Sequence, residues 1–222
     1  MCNLYSNMTT LEEMARLFSA RPLCDSETLA PQPAVFPRNP AATIVMSETG
    51  TREVRRQNWG FLLPQVSKRT GRPIKPKAVT NARSETIRTS AFWRDSFRHR
   101  RCLVPSTAYC ESKGRNPAIY HWFGISGPHR KRKPFAFAGI WQTSANDGQD
   151  IFAIATTPPN DFAVRFHHRM PLILELQDYE QWLTGTEMEA AELLKPFDPN
   201  AMFVIAKGAN LRVCPEEAIL TE

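Results

Sequence analysis

Phe135-Ala136-Phe137-Ala138-Gly139-Ile140-Trp141 is an unbroken apolar run. It is far shorter than the roughly 20 residues needed to cross a bilayer. It carries no helical periodicity, and its aromatic content suits a buried strand. Similar runs lie on both sides of it, at residues 102–104, 119–125 and 151–156. Further out, Thr43-Ile44-Val45-Met46 reads as a buried strand, and residues 54–61 as another that ends in Trp59-Gly60. Pro171-Leu172-Ile173-Leu174 and residues 201–206 are later ones, and Asn3-Leu4-Tyr5-Ser6 is a strand that can be tied into the core. Helical signals are short. Thr9 and Thr10 precede Glu12 and Glu13 at capping-box spacing, with Leu11, Met14, Ala15 and Phe18 repeating behind them. Residues 90–97 form a helical turn or two capped by Ser90, Pro158-Pro159-Asn160-Asp161 is a turn into a short helix, and residues 179–183 and 187–194 are C-terminal helices. Residues 21–41 are Pro-rich and irregular, and residues 64–77 read as a polar loop. Strands in succession without βαβ alternation place the chain in the α+β class. The expectation is a single domain over residues 1–222, with a mostly antiparallel, barrel-like β core flanked by short helices.

The length of 222 residues fits one domain, and 42% hydrophobic with 23% charged residues is the balance of a globular protein. The N-terminus lacks a basic stretch followed by an apolar one, so no secretory signal is read and a cytoplasmic location is expected. Five cysteines occur without CxxC spacing, so neither a disulfide framework nor a zinc knuckle is indicated. His99 and Cys102 could supply two metal ligands, but no second pair accompanies them; no metal and no cofactor are expected. Cys102 and Cys110 read as buried free thiols. The net charge of +6 suggests a polyanionic partner. Lys68, Arg69, Arg72, Lys75 and Lys77 crowd one loop, Arg94, Arg98, Arg100 and Arg101 follow, and Arg130-Lys131-Arg132-Lys133 forms a third cluster. The last reads as a solvated hairpin tip. The first two flank the Asn81-Ala82-Arg83 motif and are candidates for phosphate contact.

Cys2 has a chemistry that no internal cysteine shares. Methionine is normally trimmed when the next residue is small, and loss of Met1 leaves an α-amine and a thiol on adjacent carbons. Their ordinary pKa values are about 8 and 8.5, so reactive forms of both exist near neutrality. A 1,2-aminothiol condenses with an aldehyde to an imine, and the thiol then closes a five-membered thiazolidine that outlasts any imine. By position alone Cys2 would be an ordinary residue in a frayed terminus; the strand that follows argues for an anchored one.

Such chemistry needs a proton shuttle, an orienting amide and a holder for the substrate's anion. Asn81-Ala82-Arg83-Ser84-Glu85-Thr86 groups an amide, a guanidinium and a carboxylate. Glu111 is the carboxylate that follows the apolar run ending at Cys110, and His167-His168-Arg169-Met170-Pro171 precedes a strand. Each also has a bland account: an Arg83–Glu85 pair, a strand-end charge, a loop with two histidines. Polar groups at strand ends are nevertheless where reactive groups tend to sit.

Met1-Cys2, Asn81-Ala82-Arg83-x-Glu85-Thr86, the run from Phe97 to Pro105, Glu111 and His167-x-Arg169-Met170-Pro171 together resemble the SOS response-associated peptidase family, the abasic-site processing proteins. The resemblance runs from Cys2 to at least Leu174, with the motifs in the family's order. It implies a protein that crosslinks to the ring-opened aldehyde of an abasic site in single-stranded DNA through a thiazolidine on Cys2, shielding the lesion from strand cleavage. It further implies that Asn81 positions the amine and the sugar, that Glu111 shuttles protons, that His167 protonates the sugar ring oxygen, and that Arg83 and Arg169 hold DNA phosphate. A lyase activity and autoproteolytic removal of Met1 are further expectations, as are a monomeric state, no membrane partner and, in a prokaryote, association with the nucleoid. Three positions depart from the family's pattern. Asn3-Leu4 stands where Gly-Arg is common, Pro64-Gln65-Val66 where a tryptophan is common, and Ser112 follows the carboxylate where a tryptophan is typical. Aromatic platforms contribute about 1–3 kcal/mol per stacked base, so DNA handling is where this chain departs most. Two rivals remain open. One is a cysteine-type (auto)peptidase with His167 as base to Cys2 and Asn81 as orienter. The other is a non-catalytic nucleic-acid binder using the basic loop and Trp59.

Overall fold

The computed structural model describes residues 2–114, 116–126, 132–145 and 147–215. Along the chain come β1 (Tyr5–Asn7), α1 (Leu11–Leu17), β2 (Arg21–Pro22), β3 (Gln32–Val35), β4 (Pro40–Met46), β5 (Arg52–Trp59), β6 (Phe61–Val66), β7 (Pro73–Val79) and β8 (Asn81–Arg83). Then follow α2 (Arg94–His99), β9 (Arg101–Ser106), β10 (Ala108–Lys113), β11 (Ile119–Ser126), β12 (Arg132–Lys133), β13 (Phe135–Thr143) and β14 (Asp150–Thr157). The last elements are β15 (Met170–Pro171), β16 (Ile173–Leu174), α3 (Tyr179–Thr184), α4 (Glu187–Glu192) and β17 (Met202–Ala209).

β14, β13, β9, β4 and β5 pair in that order, each antiparallel to the next. A parallel pairing of β5 with β14, Asn58 opposite Ile151 and Trp59 opposite Phe152, closes the ring into a five-stranded barrel. Closure leaves these strands without free edges, which short antiparallel strands otherwise expose. A second sheet runs β12-β11-β10-β1-β3, with β17 also on β11. Side chains alternate along the barrel strands, as the period of two requires. Val45, Trp59, Val104, Phe137 and Phe152 meet Cys2 and, from the second sheet, Tyr5, Tyr109 and Phe123 in one cluster. Ala42, Ile44, Leu103, Ala138 and Ile140 face the helices through Met14, Phe97 and Trp182. The expected barrel-like core and the strands read from the sequence are present. Among the described residues, no helix is long and apolar enough to cross a membrane.

Gly139 lies where barrel strands pack most tightly. A Cβ there would sit 2.7 Å from Cys102 Sγ and 2.8 Å from Val104 Cγ2, while Trp182 Nε1 donates to the carbonyls of both Cys102 (3.0 Å) and Gly139 (3.3 Å). Gly139→Ala therefore overpacks a region that cannot yield, and a loss of about 1–3 kcal/mol is expected by chemical denaturation; an unchanged midpoint would contradict this packing.

Local signals were readable where they are short-range. Thr10 caps α1, its Oγ1 accepting from Glu13 N at 3.2 Å while Glu13 Oε2 accepts from Thr10 N at 2.9 Å. Ser90 caps the turn that leads into α2, its Oγ accepting from Phe92 N at 3.3 Å and its carbonyl from Trp93 and Arg94, and the helix itself begins at Arg94. One expectation needs correction. Residues 64–77 are not a loop but the hairpin β6–β7. Pro64, Pro73 and Pro76 mask its alternation, and the register shifts between Leu63 and Gln65, where Pro64 withholds a ladder donor. Gly60, at φ +127°, turns the chain out of the barrel into this hairpin, its amide donating to Phe152 O at 2.8 Å.

Candidate active site around Cys2

Cys2 enters the cluster between the barrel and the second sheet because the strand behind it is pinned. Cys110 N donates to Leu4 O at 2.9 Å and Thr107 N to Ser6 O at 2.7 Å. The Cys2 side chain is buried, and its Sγ lies 3.6 Å from Leu4 O. Burial pushes its thiol well above the ordinary range, and the neighbouring Glu111 carboxylate adds to the shift. Met1 lies outside the described residues.

Asn81 reaches Cys2 because β8 runs parallel to β14, Asn81 opposite Ile154. Its Nδ2 donates to Cys2 O at 2.9 Å and to Thr80 Oγ1 at 2.8 Å. Thr80 in turn donates to Asn3 Oδ1 at 3.3 Å, and its carbonyl accepts from Trp59 Nε1 at 3.1 Å. Asn81 Oδ1 is buried and has no hydrogen-bond partner among the described residues, so an acceptor is left beside the terminus. The amide thus orients residue 2 and still has capacity for a further donor.

Glu111 comes from β10 and is 7% exposed. Burial raises its carboxyl from an ordinary 4.5 to about 7, where acid and base forms coexist at neutral pH. A surface cleft of about 340 Å³ reaches it, lined by Asn3, Phe36, Ser112, Tyr120 and Arg212 among others. The raised value has a consequence for stability. Between pH 4.5 and about 7 the folded chain keeps a proton that the unfolded chain releases, so this group's contribution is full below pH 4.5 and is lost as the pH rises through 7. Glu111→Gln removes that dependence. The variant is expected to be more stable than the parent at pH 8, by on the order of 3 kcal/mol, and to show no such gain at pH 4; thermal melts at the two pH values test it, and equal gains at both would refute the assignment.

His167 follows the turn around Ala163–Arg165, where Asn160 Oδ1 accepts from Ala163 N at 2.8 Å. Phe162 and Phe166 of this segment pack against the cluster that holds Cys2. His167 Nδ1 lies 3.0 Å from the Arg169 amide and 3.2 Å from the Arg169 carbonyl, so the backbone of Arg169 holds the ring in either neutral tautomer. Burial lowers the pKa of His167, keeping the ring neutral near pH 7.

The structure separates the arginines. Arg83 is exposed at the end of β8. Arg169 is buried, with Nη1 and Nη2 both on the Glu85 carboxylate and Nη2 also 2.6 Å from Thr156 O. A phosphate on Arg169 would share it with Glu85, so Glu85 pairs with Arg169 and not with Arg83. Within the second basic cluster the fold separates Arg101 from the rest, and Arg94 and Arg98 remain exposed. Arg101 is buried and donates to the carbonyls of Trp182, Phe97, Arg98 and Gly185; Arg98 pairs with Glu187 at 2.8 Å, and Arg100 with Asp95. These side chains tie α2 to its neighbours. In the third cluster, Arg130 and Lys131 lie outside the described residues, and Arg132 donates to Thr107 O at 2.9 Å. The first cluster stays exposed on the β6–β7 hairpin, with Lys68, Arg69 and Arg72 around its turn. Trp59 is wholly buried, stacked on Phe152 at 6.3 Å, so it offers no face to a base.

Sequence reasoning missed His121. It stands opposite Glu111 in the β10–β11 register, a pairing that appears in the sequence only if the turn between the two strands is placed correctly.

The model of the SOS response associated peptidase (SRAP) family matches residues 1–207. The abasic site processing protein YoqW of Bacillus subtilis is 26% identical over 208 residues, covering 91% of this chain and 90% of YoqW. The abasic site processing protein YobE of the same organism is 25% identical, covering 91% of this chain and 92% of YobE. Among solved structures, a protein from Bacteroides thetaiotaomicron superposes with a TM-score of 0.73 at 26% identity, covering 92% of each chain.

Proposed function

The chain belongs to the SOS response associated peptidase family, and on that premise we propose that it processes abasic sites by forming a covalent thiazolidine to them through Cys2. The observation that carries this reading is the placing of Cys2. Its carbonyl is held by Asn81, and its thiol feels the charge of a buried carboxyl poised near pH 7.

The substrate is the aldehyde of a ring-opened abasic deoxyribose in single-stranded DNA. With Met1 removed, the Cys2 amine adds to C1′, forming the C–N bond as the C=O π bond opens, and a first proton passes from the nitrogen to the oxygen, which becomes a hydroxyl. Glu111 in its acid form protonates that hydroxyl, which leaves as water, while the nitrogen gives up a proton and an imine results. The thiol then adds to the imine carbon; the C–S bond forms and the sulfur's proton ends on nitrogen. The net reaction consumes the aldehyde and the aminothiol and releases one water. Asn81 Oδ1, a buried acceptor, suits the amine or a sugar hydroxyl. His167, its ring held by the Arg169 backbone, suits donation to the ring oxygen that must leave C1′. The exposed cations of the β6–β7 hairpin and Arg83 supply phosphate contacts that carry no sequence preference.

The non-catalytic binder loses its aromatic platform with the burial of Trp59.

Wild-type protein mixed with single-stranded DNA carrying one abasic site is expected to give an adduct that survives heating on a denaturing gel. Its intact mass should equal protein without Met1 plus DNA minus one water. Absence of that species would retire the thiazolidine reading.

A further inference from the structure

We propose that His121 is a positioning residue for Glu111, the two forming a buried carboxyl–imidazole pair on one face of the second sheet. This rests on the thiazolidine reading above. Glu111 and His121 are direct partners in the antiparallel β10–β11 ladder. Residues so paired leave the sheet on the same side, with Cβ atoms about 4.5–5.5 Å apart. The next same-face pair bears this out, since Tyr109 and Phe123 hold their rings 5.0 Å apart in the cluster that contains Cys2. Trp122, between His121 and Phe123, belongs to the opposite cluster with Leu4 and Cys110.

His121 is 7% exposed, and its Nδ1 is buried with no hydrogen-bond partner among the described residues. The ring is parallel to Phe123 at 6.4 Å and tilted on Phe166 at 5.1 Å. Phe166 directly precedes His167, so the imidazole sits between Glu111 and the segment that carries His167. As a spacer, a phenyl ring would fill this aromatic setting without burying an unmatched nitrogen. The nitrogen makes sense as a partner for a carboxyl that changes protonation during the reaction, because an imidazole can accept from the acid form or donate to the anion. The titratable groups on the paired strands are Glu111 and Lys113 on β10 and Lys207 opposite it on β17, and Arg165 and His167 flank Phe166 on the adjoining segment. Burial, with Lys207 adding to it, lowers the His121 pKa against the backbone groups of Ile119 and Glu111, which raise it; the neutral ring so favoured has both a donor and an acceptor nitrogen.

Two variants and two readouts test this. First, without DNA, the Glu111 carboxyl carbon is titrated by NMR in wild type, His121→Phe and His121→Gln. The phenyl variant, with an apolar neighbour, is expected to raise the Glu111 midpoint by at least about half a pH unit; the glutamine variant, which keeps a hydrogen-bonding group, should lie nearer wild type. Second, crosslinking to an abasic oligonucleotide is followed across pH. At pH 7, His121→Phe should be slowed about tenfold, with its profile displaced as the midpoint is, and His121→Gln should recover most of the rate. Wild-type midpoints and profiles in both variants would overturn the proposal and leave His121 a spacer. If wild type itself forms no adduct, the thiazolidine reading fails, while the titration still judges the pairing of His121 with Glu111.

Discussion

Cys2→Ala is expected to abolish the heat-stable adduct with abasic single-stranded DNA, leaving reversible binding in place. The variant removes the atom that closes the ring. Its effect on folding should be modest, because the change deletes a single buried sulfur whose one hydrogen bond is long, 3.6 Å to Leu4 O, and the strand behind it is held by backbone hydrogen bonds. Cys2→Ser separates the two steps. Serine keeps the α-amine and so permits an imine, which borohydride would trap and heat would destroy. The expected pattern is a stable adduct for wild type, an adduct for serine only after reduction, and the same for alanine. Binding measured by fluorescence anisotropy should be unchanged across the three, with the steep salt dependence of phosphate contacts. A full yield of heat-stable adduct from Cys2→Ala would show that another nucleophile does the work and would end the assignment.

Glu111→Gln should have the second largest effect, a fall of about 10²–10⁴-fold in the single-turnover rate of adduct formation. Glutamine matches the carboxyl in shape but neither gives nor takes a proton, so dehydration to the imine and proton release from the thiol both lose their shuttle. In wild type the rate should depend on pH with a limb near 7, where burial has placed the Glu111 carboxyl. The variant should lose that limb. A rate within twofold of wild type, or a limb that persists near pH 7 in the variant, would assign the titration to another group. The loss of rate should coincide with the gain of stability at pH 8 described above, as expected when a buried carboxyl is retained for chemistry at the expense of the fold.

Much of the barrel was legible. Its strands are apolar runs bounded by turns, and the 135–141 run became β13, which pairs with β9, β14 and β16. The β6–β7 hairpin was not legible, because three prolines interrupt its alternation. Nor was the fate of the arginines around α2. In sequence they are a basic cluster beside a phosphate-binding candidate; in the fold Arg101 donates to four carbonyls, a commitment that depends on α3 arriving from about 80 residues away. Of the candidate site residues, Asn81 hydrogen-bonds to Cys2, Glu111 acts on its thiol through its charge, His167 lies on a segment packed against its cluster, and Arg169 is engaged by Glu85.

The reactivity of Cys2 is a property of the covalent chain. An α-amine and a thiol on adjacent carbons can close a thiazolidine in any fold, so the sequence alone determined the chemistry available at this end of the protein. Capping of α1 by Thr10 and the alternation of the barrel strands are likewise short-range and readable. What the tertiary structure decided is the environment. Closure of β5 on β14 joins residues more than 90 positions apart, and the β10–β11 register sets His121 beside Glu111. Burial then moves that carboxyl to about 7 and hides Trp59 from any base. Desolvation depends on everything packed around a group, and no local stretch of sequence records it.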